Sequence, residues 1–196
     1  MIQSEILILK HIRKFIDDGN LIIGICNGFQ ALVKLGLLPA IGNKYFEQQA
    51  SLIFNDSGKF EDRWVDLKVY ENCIWTKEIE YISLPVRHGE GKFVASEDII
   101  KKLFDKNLVA CQYAGLLNEP KMEYPNNPNG SYEAIAAICD ETGRIFGLMP
   151  HPEAFLFREN HPQWAFDKDS RNREGEKRTE EGDGLQIFRN AVDCFK

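Results

Sequence analysis

The stretch "LIIGICNGFQALVKLG", residues 21–36, constrains the fold more than any other part of the sequence. Residues 21–25 form a short, wholly apolar run, which is typical of a strand buried inside a parallel sheet, so we expect a neighbouring strand on each side. A helix is predicted over residues 27–37. Cys26 therefore stands where a strand turns into a helix, exposed at the carboxyl edge of the predicted sheet.

Two glycines flank this cysteine at equal spacing, Gly24 before it and Gly28 after it. A sharp turn from strand to helix leaves little room at both positions, and glycine fits there. The turn also places the thiol at a helix N-terminus, where the helix dipole and free N–H groups favour the nucleophilic thiolate. The alternative is a buried cysteine among apolar neighbours. The glycine spacing and the change from strand to helix favour a nucleophile, whereas the other cysteines are interpreted as packing residues: Cys73, Cys111, Cys139 and Cys194.

A thiol nucleophile needs a base, and the base needs a group that orients it. His151 follows an apolar strand pattern in "FGLMPHPEAF", between two prolines. Glu153 is two residues further on and points the same way if the segment is extended. His88, in the glycine-rich "PVRHGEGKF", is interpreted as a binding residue, and His11 and His161 as surface residues.

The rest of the chain alternates helix and strand patterns, with strands clustered in the middle. Helices are predicted at residues 4–18, at 96–104 with Ser96 as cap, and at 182–195 with Leu185, Phe188, Val192 and Phe195 facing inward. Strand candidates are residues 63–71, 81–86, 108–113, 134–139 and 144–149. The charged stretch at 167–184 is predicted to be an exposed loop. These elements indicate a single α/β domain over residues 1–196, with a sheet flanked by helices and a small antiparallel excursion.

Composition excludes several classes of function. The net charge of −6 argues against a general nucleic-acid or anionic-membrane surface. No apolar run reaches the length of a membrane span, and the first residues do not resemble a signal peptide. The five cysteines are odd in number and widely spaced, without a CxxC pair, so neither a disulfide framework nor a zinc site is expected. A reduced, cytoplasmic setting fits best.

"GICNGFQ" together with "MPHPE" resembles the class I glutamine amidotransferases, whose triad is Cys, His and Glu in that order, on a flavodoxin-like sheet. "NDSGKFEDRWVDLKV", "PVRHGEGKF", "YPNNPNGS" and "GLMPHPEAF" are similar to the glutaminase subunit or domain of phosphoribosylformylglycinamidine synthase. The similarity extends over residues 6–191. The blocks "HGEGKF" and "NPNGS" are more specific than the cysteine turn, which all class I amidotransferases share.

The resemblance implies a role for each matching residue. Cys26 would be the nucleophile, His151 the general acid and base, and Glu153 its partner. The Asn27 N–H would be an oxyanion donor. The residues expected to bind glutamine are Asn27, Gln30, His88 and Glu90.

The resemblance also implies partners and an activity. Glutamine would be hydrolysed to glutamate and ammonia through a thioester, and the ammonia would serve formylglycinamidine ribonucleotide synthesis in purine biosynthesis. The expected partners are a synthetase subunit or domain and a small accessory subunit. No phosphate-cradling loop is recognisable, so no cofactor is expected in this chain, and ATP and magnesium are expected in the synthetase.

Family members begin with a strand and a loop that supplies a second oxyanion donor, and this sequence starts at the helix that follows them. We therefore expect the domain to be incomplete at its N-terminus relative to the family. Two alternatives stay open: a catalytically impaired fragment that acts as an interaction subunit, and a different cysteine hydrolase of the same fold.

Overall fold

The computed structural model describes residues 2–166, residue 169 and residues 180–196. Most of the charged stretch at 167–184, predicted to be an exposed loop, lies outside the described residues. The helices are α1 (Ile2–Asp17), α2 (Asn27–Lys34), α3 (Glu97–Asp105) and α4 (Gly184–Asp193). The strands are β1 (Ile22–Ile25), β2 (Ala50–Ile53), β3 (Glu61–Val69), β4 (Tyr81–His88), β5 (Lys92–Ala95), β6 (Val109–Ala114), β7 (Ile135–Cys139) and β8 (Ile145–Leu148).

Six of these strands form one mixed sheet in the order β1-β8-β7-β6-β3-β4. The β1–β8 pair is parallel, and the other four pairs are antiparallel. The antiparallel part is thus larger than the excursion predicted. Strands β2 and β5, which the sequence patterns did not indicate, pair with each other in a separate antiparallel ribbon.

The first strand differs from its prediction. Among the described residues, β1 pairs with β8 alone and lies at the edge of the sheet, so the neighbour expected on its other side is not found among them. Its isoleucines are accordingly half-buried rather than fully buried. Gly24, in contrast, is buried.

The core lies between the sheet and its helices. Val65, Leu67 and Val69 alternate inward along β3 as predicted, with no more than 7% of each side chain exposed. The short α2 contributes Phe29, Leu32 and Val33 to the same core.

Two helices differ from their predictions. Helix α2 ends at Lys34 rather than at residue 37, because Gly36 adopts the left-handed conformation (φ +67°) and the Leu37 N–H returns to the Leu32 carbonyl. In α4 the buried residues are Gly184, Ile187 and Asn190. Val192 and Phe195, expected to face inward, are 58% and 67% exposed.

Other details follow the sequence more closely. The Ser96 hydroxyl caps α3 by accepting from the Ile99 N–H. Cys111 and Cys139 are buried as expected, but Cys194 is exposed and is not a packing residue. No helix in the described part of the chain is long and apolar enough to cross a membrane.

Candidate active site

The proposed nucleophile lies at a strained turn between β1 and α2. Cys26 has φ 51° and ψ −106°, a conformation that L-residues rarely adopt, and its N–H donates to the Leu148 carbonyl of the neighbouring strand (2.8 Å). Non-glycine residues in such conformations cluster at active sites, where the surrounding structure holds them. The Sγ lies 3.7 Å from the carbonyl oxygen of Arg87, at the end of β4.

The two flanking glycines are not equivalent. A Cβ at Gly24 would lie 2.5 Å from the Leu32 side chain and 2.7 Å from the Gly28 backbone, so a side chain is excluded there. A Cβ at Gly28 would meet no atom of the described residues within 4 Å. The expectation that both positions lack room therefore holds for Gly24 and is wrong for Gly28.

His151 and Glu153 form the predicted pair, although by a different backbone geometry. His151 caps a 3₁₀ turn over Pro152–Ala154, whereas an extended segment was expected. The turn brings Glu153 Oε1 to 2.5 Å from His151 Nδ1, and the His151 N–H donates to the Pro85 carbonyl (2.8 Å). The backbone of His151 is thereby held by Pro85, and its ring is held by Glu153 through Nδ1.

The other ring nitrogen of His151 is directed to the cysteine. Nε2 is buried and makes no standard hydrogen bond within the described residues. The interaction with the Cys26 side chain raises the pKa of His151, burial opposes this, and Glu153 raises it further. An elevated pKa favours the protonated ring of His151, the form that can give a proton to a leaving group.

The backbone of residues 87–91 forms a wall beside this pair. Its Arg87 carbonyl contacts Cys26 Sγ, and its Glu90 carbonyl accepts from Gln30 Nε2 (2.5 Å). The structure thus brings Gln30 and Glu90 together, as the resemblance implies. Asn27 is exposed in the first turn of α2, next to the thiol. His88 was expected in a loop but ends β4, and it is 3% exposed.

Asparagines that sequence reasoning missed hold this wall in place. The buried Asn55 bonds to the carbonyls of Lys59 and His88 and to the N–H of Gly91. Asn129 donates to the Gly91 carbonyl (2.9 Å), and the Ser131 hydroxyl accepts from the Phe93 N–H (2.9 Å). The signal was present in "NDSGKFE" and "NPNGS", whose polar residues in turns bond to nearby backbone. A Cβ at Gly91 would lie 2.4 Å from the His88 ring, so the last position of "HGEG" has room only for glycine.

A cysteine at a strand-to-helix turn, beside a His–Glu pair on a mixed α/β sheet, is the arrangement that acyl-transferring cysteine enzymes require. The comparisons with known proteins agree with this class. Residues 1–195 match the model of the CobB/CobQ-like glutamine amidotransferase domain. The chain therefore belongs to the glutamine amidotransferase family, and its α/β fold class is confirmed.

Curated relatives narrow the resemblance to one subunit. Phosphoribosylformylglycinamidine synthase subunit PurQ from Dehalococcoides mccartyi is 48% identical over 185 residues, covering 93% of this chain and 67% of the relative. PurQ from Methanococcus maripaludis is 41% identical over 187 residues, covering 94% and 69%. The match to this subunit confirms the resemblance seen in the sequence blocks.

A solved structure gives the same result. The chain is 30% identical to a chain in the structure of PurLQS from Thermotoga maritima, with a TM-score of 0.63 over 94% of this chain and 66% of that one. This chain thus spans about two thirds of the length of the relatives it matches.

Proposed function

We propose that this chain hydrolyses glutamine to glutamate and ammonia for the synthesis of formylglycinamidine ribonucleotide in purine biosynthesis. The observation that carries the proposal is the strained Cys26 beside a His151 ring whose far nitrogen is held by Glu153. The PurQ relatives support the choice of glutamine as substrate and of this synthesis as the use of the ammonia.

Cys26, His151 and Glu153 each have a separate role in the proposed reaction. The Cys26 thiolate attacks the carboxamide carbon, and the C–N bond breaks as His151 gives its proton to the leaving ammonia. His151 then takes a proton from water as the hydroxide attacks the γ-glutamyl thioester, and the C–S bond breaks to release glutamate and return the Cys26 thiolate. Glu153 keeps the ring oriented through Nδ1 and stabilises the imidazolium.

The negatively charged oxygen of each tetrahedral intermediate needs hydrogen-bond donors. The first N–H groups of a helix have no partner within the helix, so the Asn27 N–H at the start of α2 is one candidate. Losing one such donor costs a comparable enzyme about 10²- to 10³-fold in rate. Gln30, His88 and Glu90 are proposed to bind glutamine.

The ammonia passes to a synthetase partner. The structure of PurLQS from Thermotoga maritima, whose name joins several subunits, supports such a complex. We expect this chain to bind the synthetase and a further, small subunit. ATP and magnesium act in the synthetase, and this chain needs no cofactor of its own. A cytoplasmic setting is consistent with its five free cysteines.

Replacing the nucleophile tests the proposal directly. Cys26→Ala, mixed with the synthetase subunit, is expected to abolish glutamine-dependent synthesis and to leave ammonia-dependent synthesis unchanged, because only ammonia production needs the thiol. Both rates are measured at steady state, with Cys194→Ala, an exposed thiol far along the chain, as the matched control. Glutamine use that survives in Cys26→Ala would place the nucleophile elsewhere.

A further inference from the structure

The 3₁₀ turn that carries the His–Glu pair is covered by a later segment of the chain. Residues 180–184 run antiparallel to the residues that directly follow the turn. The Gly182 N–H donates to the Leu156 carbonyl (2.8 Å), and the Arg158 N–H donates to the Glu180 carbonyl (3.0 Å). These backbone bonds fix the later segment against the end of the turn.

An ion pair adds to this contact. Arg158 Nη2 lies 3.0 Å from Asp183 Oδ1, and only 19% of the Arg158 side chain is exposed. Asp183 is the residue that precedes the first turn of α4. The ion pair therefore joins the start of α4 to the segment that follows the 3₁₀ turn.

The contact is closest at Gly184, the first residue of α4. Its N–H donates to the Phe155 carbonyl (3.1 Å). A Cβ at this position would collide with the Pro152 carbonyl oxygen and would lie 2.9 Å from that of Phe155. Its φ is not in the left-handed region, so the lack of room, and not the backbone conformation, requires glycine here.

The Pro152 carbonyl belongs to the turn that orients the reacting groups. Pro152 lies between His151 and Glu153, whose side chains meet at 2.5 Å between Nδ1 and Oε1. The same carbonyl closes the turn by accepting from the Phe155 N–H (3.0 Å). A shift of this carbonyl therefore moves the residues on both sides of it, and with them the ring that interacts with Cys26.

We propose that Gly184 and Asp183 are positioning residues that keep the His151 ring aligned with Cys26. This inference rests on the proposed function of the site. Both residues act through the 3₁₀ turn and not on the reacting atoms. Because glutamine is proposed to bind at the wall of residues 87–91, a displaced turn is expected to affect kcat rather than KM.

Two glycine variants form a matched pair that tests this role. Gly184→Ala and Gly182→Ala each place a methyl group against a carbonyl oxygen, that of Pro152 in the first and that of Phe155 in the second. With the synthetase subunit present, Gly184→Ala is expected to lower kcat on glutamine by about 10- to 100-fold, with KM nearly unchanged. Gly182→Ala is expected to lose much less, because Phe155 lies beyond the turn. Equal losses of kcat would overturn the proposal.

The pH profile separates positioning from a general loss of structure. A ring withdrawn from Cys26 and Glu153 loses the interactions that raise its pKa. The alkaline limb of kcat/KM is therefore expected to move to lower pH in Gly184→Ala and to stay in place in Gly182→Ala. Urea unfolding shows first that each variant is folded. An unshifted limb in Gly184→Ala would contradict the proposal.

A second pair of variants removes a charge without adding atoms, and decides the question if Gly184→Ala does not fold. Asp183→Asn breaks the ion pair with Arg158 and is expected to lower kcat about two- to fivefold at unchanged KM. Asp193→Asn breaks an ion pair with Lys196 (2.7 Å) at the other end of α4 and is the control. Equal rates in these two variants would overturn the inference. Glutamine hydrolysis that survives Cys26→Ala would instead refute the proposed function.

Discussion

At the scale of single residues, the protonation of His151 is expected to set the pH range of the site. The Cys26 side chain first, and Glu153 after it, raises the pKa of His151, so the imidazolium persists above its ordinary range. Glu153→Gln removes one of these causes, so the alkaline limb of kcat/KM is expected to move to lower pH. The apparent pKa read from this alkaline limb belongs to Cys26 and His151 together and not to either residue alone.

The same pair predicts the order of the mutational losses. His151→Ala removes the acid and base and is expected to lower kcat by about 10²- to 10⁴-fold. Glu153→Gln is expected to lose less, because a neutral amide still bonds to Nδ1. Glutamate release at steady state measures both. Small and equal losses would remove His151 and Glu153 from the mechanism.

His88 predicts a second pH effect, on stability. Its pKa is about 4 in the folded chain and 6.5 in the unfolded chain, so between these values the unfolded state binds more protons. The contribution of His88 is complete above pH 6.5 and is lost as pH falls towards 4. At about 1.4 kcal/mol per pKa unit, the loss is roughly 3 kcal/mol.

Urea unfolding of the parent chain and of His88→Gln, at pH 7.5 and pH 5, measures this contribution. The parent is expected to lose more stability than the variant between the two values, because the variant has no ring to protonate. Acidic residues affect both chains alike and cancel in the comparison. A parent and variant with the same pH dependence would show that His88 is not buried in the neutral form.

At the scale of elements, the turn between β1 and α2 depends on one glycine more than the other. Gly24→Ala forces a Cβ against Leu32 and the Gly28 backbone, and is expected to lower the free energy of unfolding by about 1–3 kcal/mol. Gly28→Ala has open space inside a helix and is expected to raise it by about 0.5–1 kcal/mol. Urea unfolding of both variants checks this. Similar losses would mean that Gly28 is also confined.

The site and the sheet also show which features could be predicted from the sequence and which could not. The apolar run, the cysteine and the "MPHPE" spacing located Cys26, His151 and Glu153, because each depends on local pattern. The ribbon of β2 and β5 was missed because four-residue strands give too little alternation to recognise. Asn55 was missed because three of its four side-chain bonds reach residues more than thirty positions away, and local pattern does not show such partners.

At the scale of the whole molecule, β1 and α1 each leave surface uncovered among the described residues. Strand β1 has a single neighbour among the described residues, which leaves its other edge free to pair. Helix α1 exposes Leu7 (55%), Ile8 (58%) and Phe15 (46%), although Ile12 and Ile16 pack on the core. A free strand edge and an exposed apolar helix face each favour association.

We therefore expect the 196-residue chain, by itself, to sediment as a concentration-dependent mixture of monomer and larger species. Ile8→Glu combined with Phe15→Glu adds charge to the apolar surface of α1 and is expected to shift the mixture towards monomer. Leu116→Glu with Leu117→Glu adds the same charge at a loop where both leucines are more than 85% exposed, and is the matched control. If both pairs shift sedimentation equally, net charge and not α1 controls association; a parent chain that stays monomeric at all concentrations would show that these surfaces do not associate.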